Sequence, residues 1–135
     1  RVRAWVKEGA VEYLGETPDV RPFLQAATCV VLPSYREGAP RALIEAAAMA
    51  RPLIATDVPG CRSVLEDGRT GFLCAPRSAE ALEAAILRFL ALSPSAQTAM
   101  GNAGRAKMER EFDEALVVAA YREAVAKATA RRLAA

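Results

Sequence analysis

Two short runs constrain this chain more than anything else in it: Cys29-Val30-Val31-Leu32 and Leu53-Ile54-Ala55-Thr56, each cut off by a loop rich in proline, glycine and charge. Runs this short and this apolar read as strands of a parallel sheet covered on both faces. Parallel neighbours need a crossover, and the intervening Arg41 to Ala50 is helical by composition. Gly71 to Cys74 supplies a third strand, after a short helix over Gly60 to Glu66 and the turn pair Asp67-Gly68.

Upstream, Arg1 to Glu8 reads as the last turns of a helix, with Val2, Trp5 and Val6 on one face and Gly9 as its C-terminal stop. Val11 to Leu14 reads as a strand and Asp19 to Ala27 as a short helix. Downstream, Ser78 opens an amphipathic helix to Leu92 that places Leu82, Ala85, Ile86, Phe89 and Leu90 on one face. Two more helices follow, over about Ser95 to Arg110 and Asp113 to Arg132. The expected fold is α/β: a Rossmann-like parallel sheet flanked by helices, with a helical C-terminal segment whose three helices pack around it. The 135 residues are the length of one domain, and 30 alanines favour helix over bulky core.

Eighteen basic against sixteen acidic side chains leave a net charge of +2, too balanced to mark a nucleic-acid partner. The absence of histidine removes Ser-His-Asp and Cys-His catalysis and imidazole metal ligands together. Cys29, Cys61 and Cys74 are odd in number and lack CxxC spacing, which fits reduced residues in a cytoplasmic protein. The longest apolar run, Ala42 to Ala50, is interrupted by Glu45 and is far shorter than a membrane span. Arg122, Lys127, Arg131 and Arg132, opposite Leu116, Ala119 and Ala120, invite a peripheral membrane contact for the last helix, although that apolar face also suits the sheet or a second domain.

Ligands of an open parallel sheet bind outside the carboxyl ends of its strands. Two loops leave the candidate strands there: Pro33 to Pro40, and Asp57-Val58-Pro59-Gly60. The first brings a hydroxyl (Ser34), a carboxylate (Glu37) and a glycine (Gly38) to the start of a helix, whose first amides have no internal partner and suit phosphate or sugar oxygens. Pro40 suits the first helical position. Glu45 is the only charge between Ala42 and Ala50, so it must face the rim, a ligand or a cation. An i,i+4 pair with Arg41 is the structural alternative, in the weaker order. On this reading Glu37 and Glu45 open onto one cavity and grasp one elongated ligand at two points.

The stretch PSYREGAPRALIEAAAMARPLIATDVPGCRSVLEDGRTGFLCAP, Pro33 to Pro76, resembles the core of the C-terminal, nucleotide-sugar-binding domain of family 4 (group 1) retaining glycosyltransferases of the GT-B fold. Their two glutamates separated by seven residues are matched by Glu37 and Glu45, and the likeness extends to nearly the whole chain. The resemblance implies that Glu37, the expected catalytic contact, hydrogen-bonds the donor sugar. It implies too that the amides of Gly38, Ala39 and Arg41 meet sugar and diphosphate, and that Glu45 takes the ribose hydroxyls. Ser34 lines the same pocket, the Leu14-Gly15 main chain touches the base, and Asp57, Pro59 and Gly60 shape the neighbouring rim.

The resemblance further implies retaining transfer of a hexosyl or N-acetylhexosaminyl group from a nucleoside-diphosphate sugar to a glycan or lipid-linked hydroxyl acceptor. Neither metal nor separate cofactor is expected, and the leaving diphosphate helps to deprotonate the acceptor. Three departures stand out. Arg51 stands where many members have glycine, Pro40 removes one amide, and no basic motif or acceptor-binding domain precedes Arg1. The chain is therefore expected to be part of a C-terminal domain, inactive alone. A stand-alone nucleotide-binding or protein-interaction module and a GT-B-related nucleotide-sugar epimerase remain open alternatives.

Overall fold

The computed structural model describes residues 2–133. Its centre is a three-stranded parallel sheet in the order β1 (Val30–Leu32), β2 (Leu53–Thr56), β3 (Gly71–Cys74). Val30 pairs with Leu53 and Leu53 with Gly71, so the three strands end at one rim. Seven helices accompany them among the described residues: α1 (Val2–Lys7), α2 (Arg21–Ala26), α3 (Arg41–Ala48), α4 (Pro59–Val64), α5 (Ala79–Leu90), α6 (Pro94–Glu111) and α7 (Glu114–Leu133). These are the Rossmann-like α/β layers expected from the sequence.

Period-two alternation along β2 divides the core. Leu53 and Ala55 join Leu43, Ala46 and Ala47 of α3 and Cys61 and Val64 of α4 on one face, while Ile54 meets Phe72 and Cys74 of β3 and Ala85 and Phe89 of α5 on the other. α6 serves both layers, with Met108 in the first and Met100 in the second. Every residue of β2 is buried. β1 is different: among the described residues it is an edge strand, as β3 is, and it leaves Val31 38% exposed, so the expectation of cover on both faces holds for β2 and only partly for β1.

Small residues let α3 and α6 approach. A Cβ built on Gly104 would touch Ala47 at 3.7 Å, and one on Gly101 would come within 2.9 Å of the Ala50 carbonyl carbon. Lys107 of α6, only 7% exposed, ties this helix to the turn before β3: its Nζ lies 3.3 Å from Glu66 Oε1 and 2.5 Å from Glu111 Oε2. Hydrogen bonds from Lys107 hold both carboxyls below their usual range, helped at Glu66 by Arg69 and at Glu111 by Arg110.

Three expectations need correction. Val11 to Leu14 forms no strand, because a strand needs a partner and none among the described residues lies beside it. The last helix does not pack around the sheet: among the described residues α7 contributes no buried side chain, and Leu116, Val117, Val118, Tyr121 and Val125 are all exposed. On α5, Leu90 turns to solvent while Ala85 and Phe89 are buried. At the turn into β2, Ala50 takes the left-handed conformation, with φ of 56°. Arg51 pins that turn, donating from Nε to the Met49 carbonyl and from the guanidinium to the Ala27 carbonyl, both at 3.1 Å. Among the described residues no helix is long and apolar enough to cross a membrane.

Candidate functional site

Parallel pairing brings three loops to the carboxyl rim: Pro33 to Pro40 after β1, Asp57-Val58 after β2, and Ala75 to Ser78 after β3. The first is held from below at two points. Thr56, the last residue of β2, donates its hydroxyl to the Ser34 carbonyl. Gly60, in the first turn of α4, lies so close to the loop that a Cβ there would sit 2.6 Å from the Glu37 carbonyl carbon. Glycine is needed here for contact, not for its backbone freedom.

Pro40 is buried and acts as the N-cap of α3, one position earlier than expected, accepting from the amides of Leu43 at 3.0 Å and Ile44 at 3.2 Å. The amides of Gly38, Ala39, Arg41 and Ala42 have no protein acceptor among the described residues. They form the positive end of an eight-residue helix, with Gly38, Ala39 and Arg41 exposed, which is an anion-binding arrangement. Ser34 and Glu37 are half-buried beside it.

Glu37 borders a hollow of about 510 Å³ with Tyr35, Arg36, Gly38, Val58 and Pro59. Glu45 borders a different one, about 540 Å³, against Pro18, Val20 and Leu24. The single cavity expected for the two carboxylates is not what the structure shows: each borders a hollow of its own. Glu45 is not enclosed by protein either; its half-exposed side chain lies 3.6 Å from Arg41, the i,i+4 pair that formed the structural alternative. Such an exposed pair contributes little. Alanines made α3 look apolar all round, but Ala42 and Ala48 are on its open side.

Asp57 is exposed and engaged by Arg62, whose Nε donates to Oδ1 at 2.6 Å. Beneath the loop, burial and then the negative charge of Glu37 push the Cys61 thiol up, so it is an inert packing group. Leu14 and Gly15 lie in exposed coil. Two rim residues escaped the sequence reading: Tyr35, which borders the Glu37 hollow, and Arg77, whose guanidinium lies 5.3 Å from the Tyr35 ring centre. Position was the available signal for Arg77, since it follows a strand at the same rim.

Comparison with known proteins fits this geometry. The family model for group 1 glycosyl transferases matches residues 1–92, and the chain belongs to that family. TuaC of Bacillus subtilis, a glycosyltransferase assigned to teichuronic acid biosynthesis, is 46% identical over 77 residues, covering 56% of this chain and 20% of TuaC. Sucrose-phosphate synthase from Thermosynechococcus elongatus superposes with a TM-score of 0.87 at 29% identity, over 97% of this chain and 34% of the synthase. Anabaena HepE, solved with UDP, gives a TM-score of 0.83 over 93% of this chain and 35% of its own; at 21% identity that likeness concerns the fold. The layers described here thus match part of the GT-B glycosyltransferase fold, and the chain spans about a fifth to a third of these relatives.

Proposed function

We propose that this chain forms most of the donor-binding half of a retaining glycosyltransferase, which moves a hexosyl or N-acetylhexosaminyl group from a nucleoside-diphosphate sugar to a hydroxyl of a glycan or lipid-linked acceptor. One observation carries the reading: four unpartnered amides at the positive end of α3, set between Glu37 and Glu45. A diphosphate laid over the start of α3 takes these amides. The sugar then enters the Glu37 hollow, where the carboxylate accepts from its hydroxyls, and the ribose reaches Glu45. Family membership supports this over the binding-module and epimerase alternatives, as do HepE structures solved with UDP and UDP-glucose.

Pro40 has no N–H to offer, so diphosphate contact falls on four amides and not five. In this reading a basic Arg/Lys motif of the same donor-binding half neutralises the leaving group, and a separate domain binds the acceptor. No metal enters this reading; the departing diphosphate takes the acceptor proton. In the complete gene product, Glu37→Gln and Glu45→Gln should each lower kcat/KM about tenfold or more, since each weakens a charge-assisted hydrogen bond to the donor. Unchanged turnover in both variants contradicts the assignment. The exposed apolar residues of α7 keep peripheral membrane contact in this proposal, and failure of the complete protein to bind anionic vesicles removes it.

A further inference from the structure

The mechanism above leaves one rim feature unused. Between the loops after β1 and β3 lies a hollow of about 320 Å³, bordered by Pro33, Tyr35, Thr56, Arg77, Ser78 and Leu82. That volume is at the lower end for small-molecule sites and suits a single sugar. Three features point to a ligand with an apolar face and a negative charge.

Arg77 adopts φ of 62°, a left-handed conformation costly for a residue with a Cβ. It has no carboxylate within 4.0 Å among the described residues, while Glu80, the nearest acid in sequence, is bound instead to the Ser78 hydroxyl at 2.9 Å. The guanidinium lies over one face of the Tyr35 ring, which is 64% exposed. An exposed aromatic ring gives sugars a surface to stack on, and the guanidinium fork matches phosphate and carboxylate oxygens. Backbone strain held at an unpaired cation is a reason to look for function there.

Tyr35 also borders the Glu37 hollow, so one side chain separates the two. We propose that the Tyr35–Arg77 hollow is a second subsite, which takes a sugar bearing an anionic substituent, phosphate or carboxylate, and holds it beside the donor sugar. As an acceptor subsite this rests on the donor reading; as a binding site it stands on its own geometry. Tyr35 and Arg77 act there by positioning the second sugar.

The test uses amide NMR spectra of this chain, titrated separately with glucose 6-phosphate, glucuronate, glucose, inorganic phosphate and UDP. Glucose 6-phosphate or glucuronate should shift the amides of Tyr35 and Arg77 to Ala79, and the stronger of the two identifies the anionic group. Glucose and inorganic phosphate should each bind about tenfold more weakly or worse, because each offers half of the recognition. Arg77→Gly removes the guanidinium while relieving the backbone, so it should raise Tm and abolish these shifts; Arg77→Lys should retain part of them. Unchanged anionic-sugar affinity in Arg77→Gly, no shifts at 77–79 in the parent chain, or equal affinity for inorganic phosphate overturns the subsite. UDP shifts at Gly38 to Ala42 report on the donor site in the same samples, so the two readings fail separately.

Discussion

The loop from Pro33 to Pro40 and the helix α7 make an instructive pair. The loop has no repeating structure, yet Gly60 and the Thr56 hydroxyl fix it from below, buried Pro40 closes it, and it ends on a helix locked into the core by Leu43, Ala46 and Ala47. α7 is 20 residues of regular helix and buries nothing among the described residues. Regularity comes from local hydrogen bonds, whereas position comes from packing, and a ligand site needs position. α1 resembles α7 in this, with Trp5 47% exposed.

The sharpest way to break the contrast is to trim one side chain on each side of it. Ile54→Ala, in a fully buried strand, should cost about 3–4 kcal/mol of stability in urea unfolding. Val125→Ala on α7, 63% exposed, should stay within about 0.5 kcal/mol. Equal costs would mean that α7 is covered in solution and that the contrast is false. Next comes the support of the loop: Gly60→Ala drives a methyl group into the Glu37 backbone and should cost about 2–3 kcal/mol while weakening UDP binding. If affinity survives the substitution, the buttress does not position the site.

A smaller effect comes from the ion cluster that seats α6. Removing Lys107 as Lys107→Met should cost about 1–2 kcal/mol, less than a fully buried pair, because Glu66 and Glu111 are 33% and 38% exposed and recover water. Both carboxyls titrate below their ordinary value of 4.5 in the folded state. Their contribution is therefore present above that pH and lost as acid protonates them, so stability should fall on acidification below about pH 4.5. The acid slope should be shallower in Lys107→Met, and an identical slope in both proteins would remove Lys107 as its cause. The smallest effect is a gain: Ala50→Gly relieves a φ of 56° and should add about 0.5–1 kcal/mol, seen as a rise of a few degrees in Tm.

Most of the layered fold was legible, for a physical reason. Strands of a parallel sheet must be apolar throughout, so β2 and β3 were marked by composition, and Ser78, whose hydroxyl accepts from the Ala81 amide at 3.0 Å, marked the start of α5. Val11 to Leu14 was misread because a run of four residues does not show whether a partner strand exists. The outer face of α3 was misread because alanine counts as apolar yet tolerates water. The site loop was placed correctly by the strand that feeds it. What sequence did not show was the contact geometry: that Gly60 lies under Glu37, that the two glutamates border separate hollows, and that Arg77 reaches Tyr35 from a loop more than forty residues away. Such contacts join residues distant in sequence, and local pattern carries no trace of them.

A crystal structure of the complete gene product with its nucleoside-diphosphate sugar tests the central claim most directly. The account predicts diphosphate oxygens within hydrogen-bonding distance of the amides of Gly38 to Ala42, the sugar against Glu37 and the ribose against Glu45. A nucleotide seated at the opposite end of the strands, in the hollow of about 350 Å³ beside Arg51 and Gln97, would contradict it.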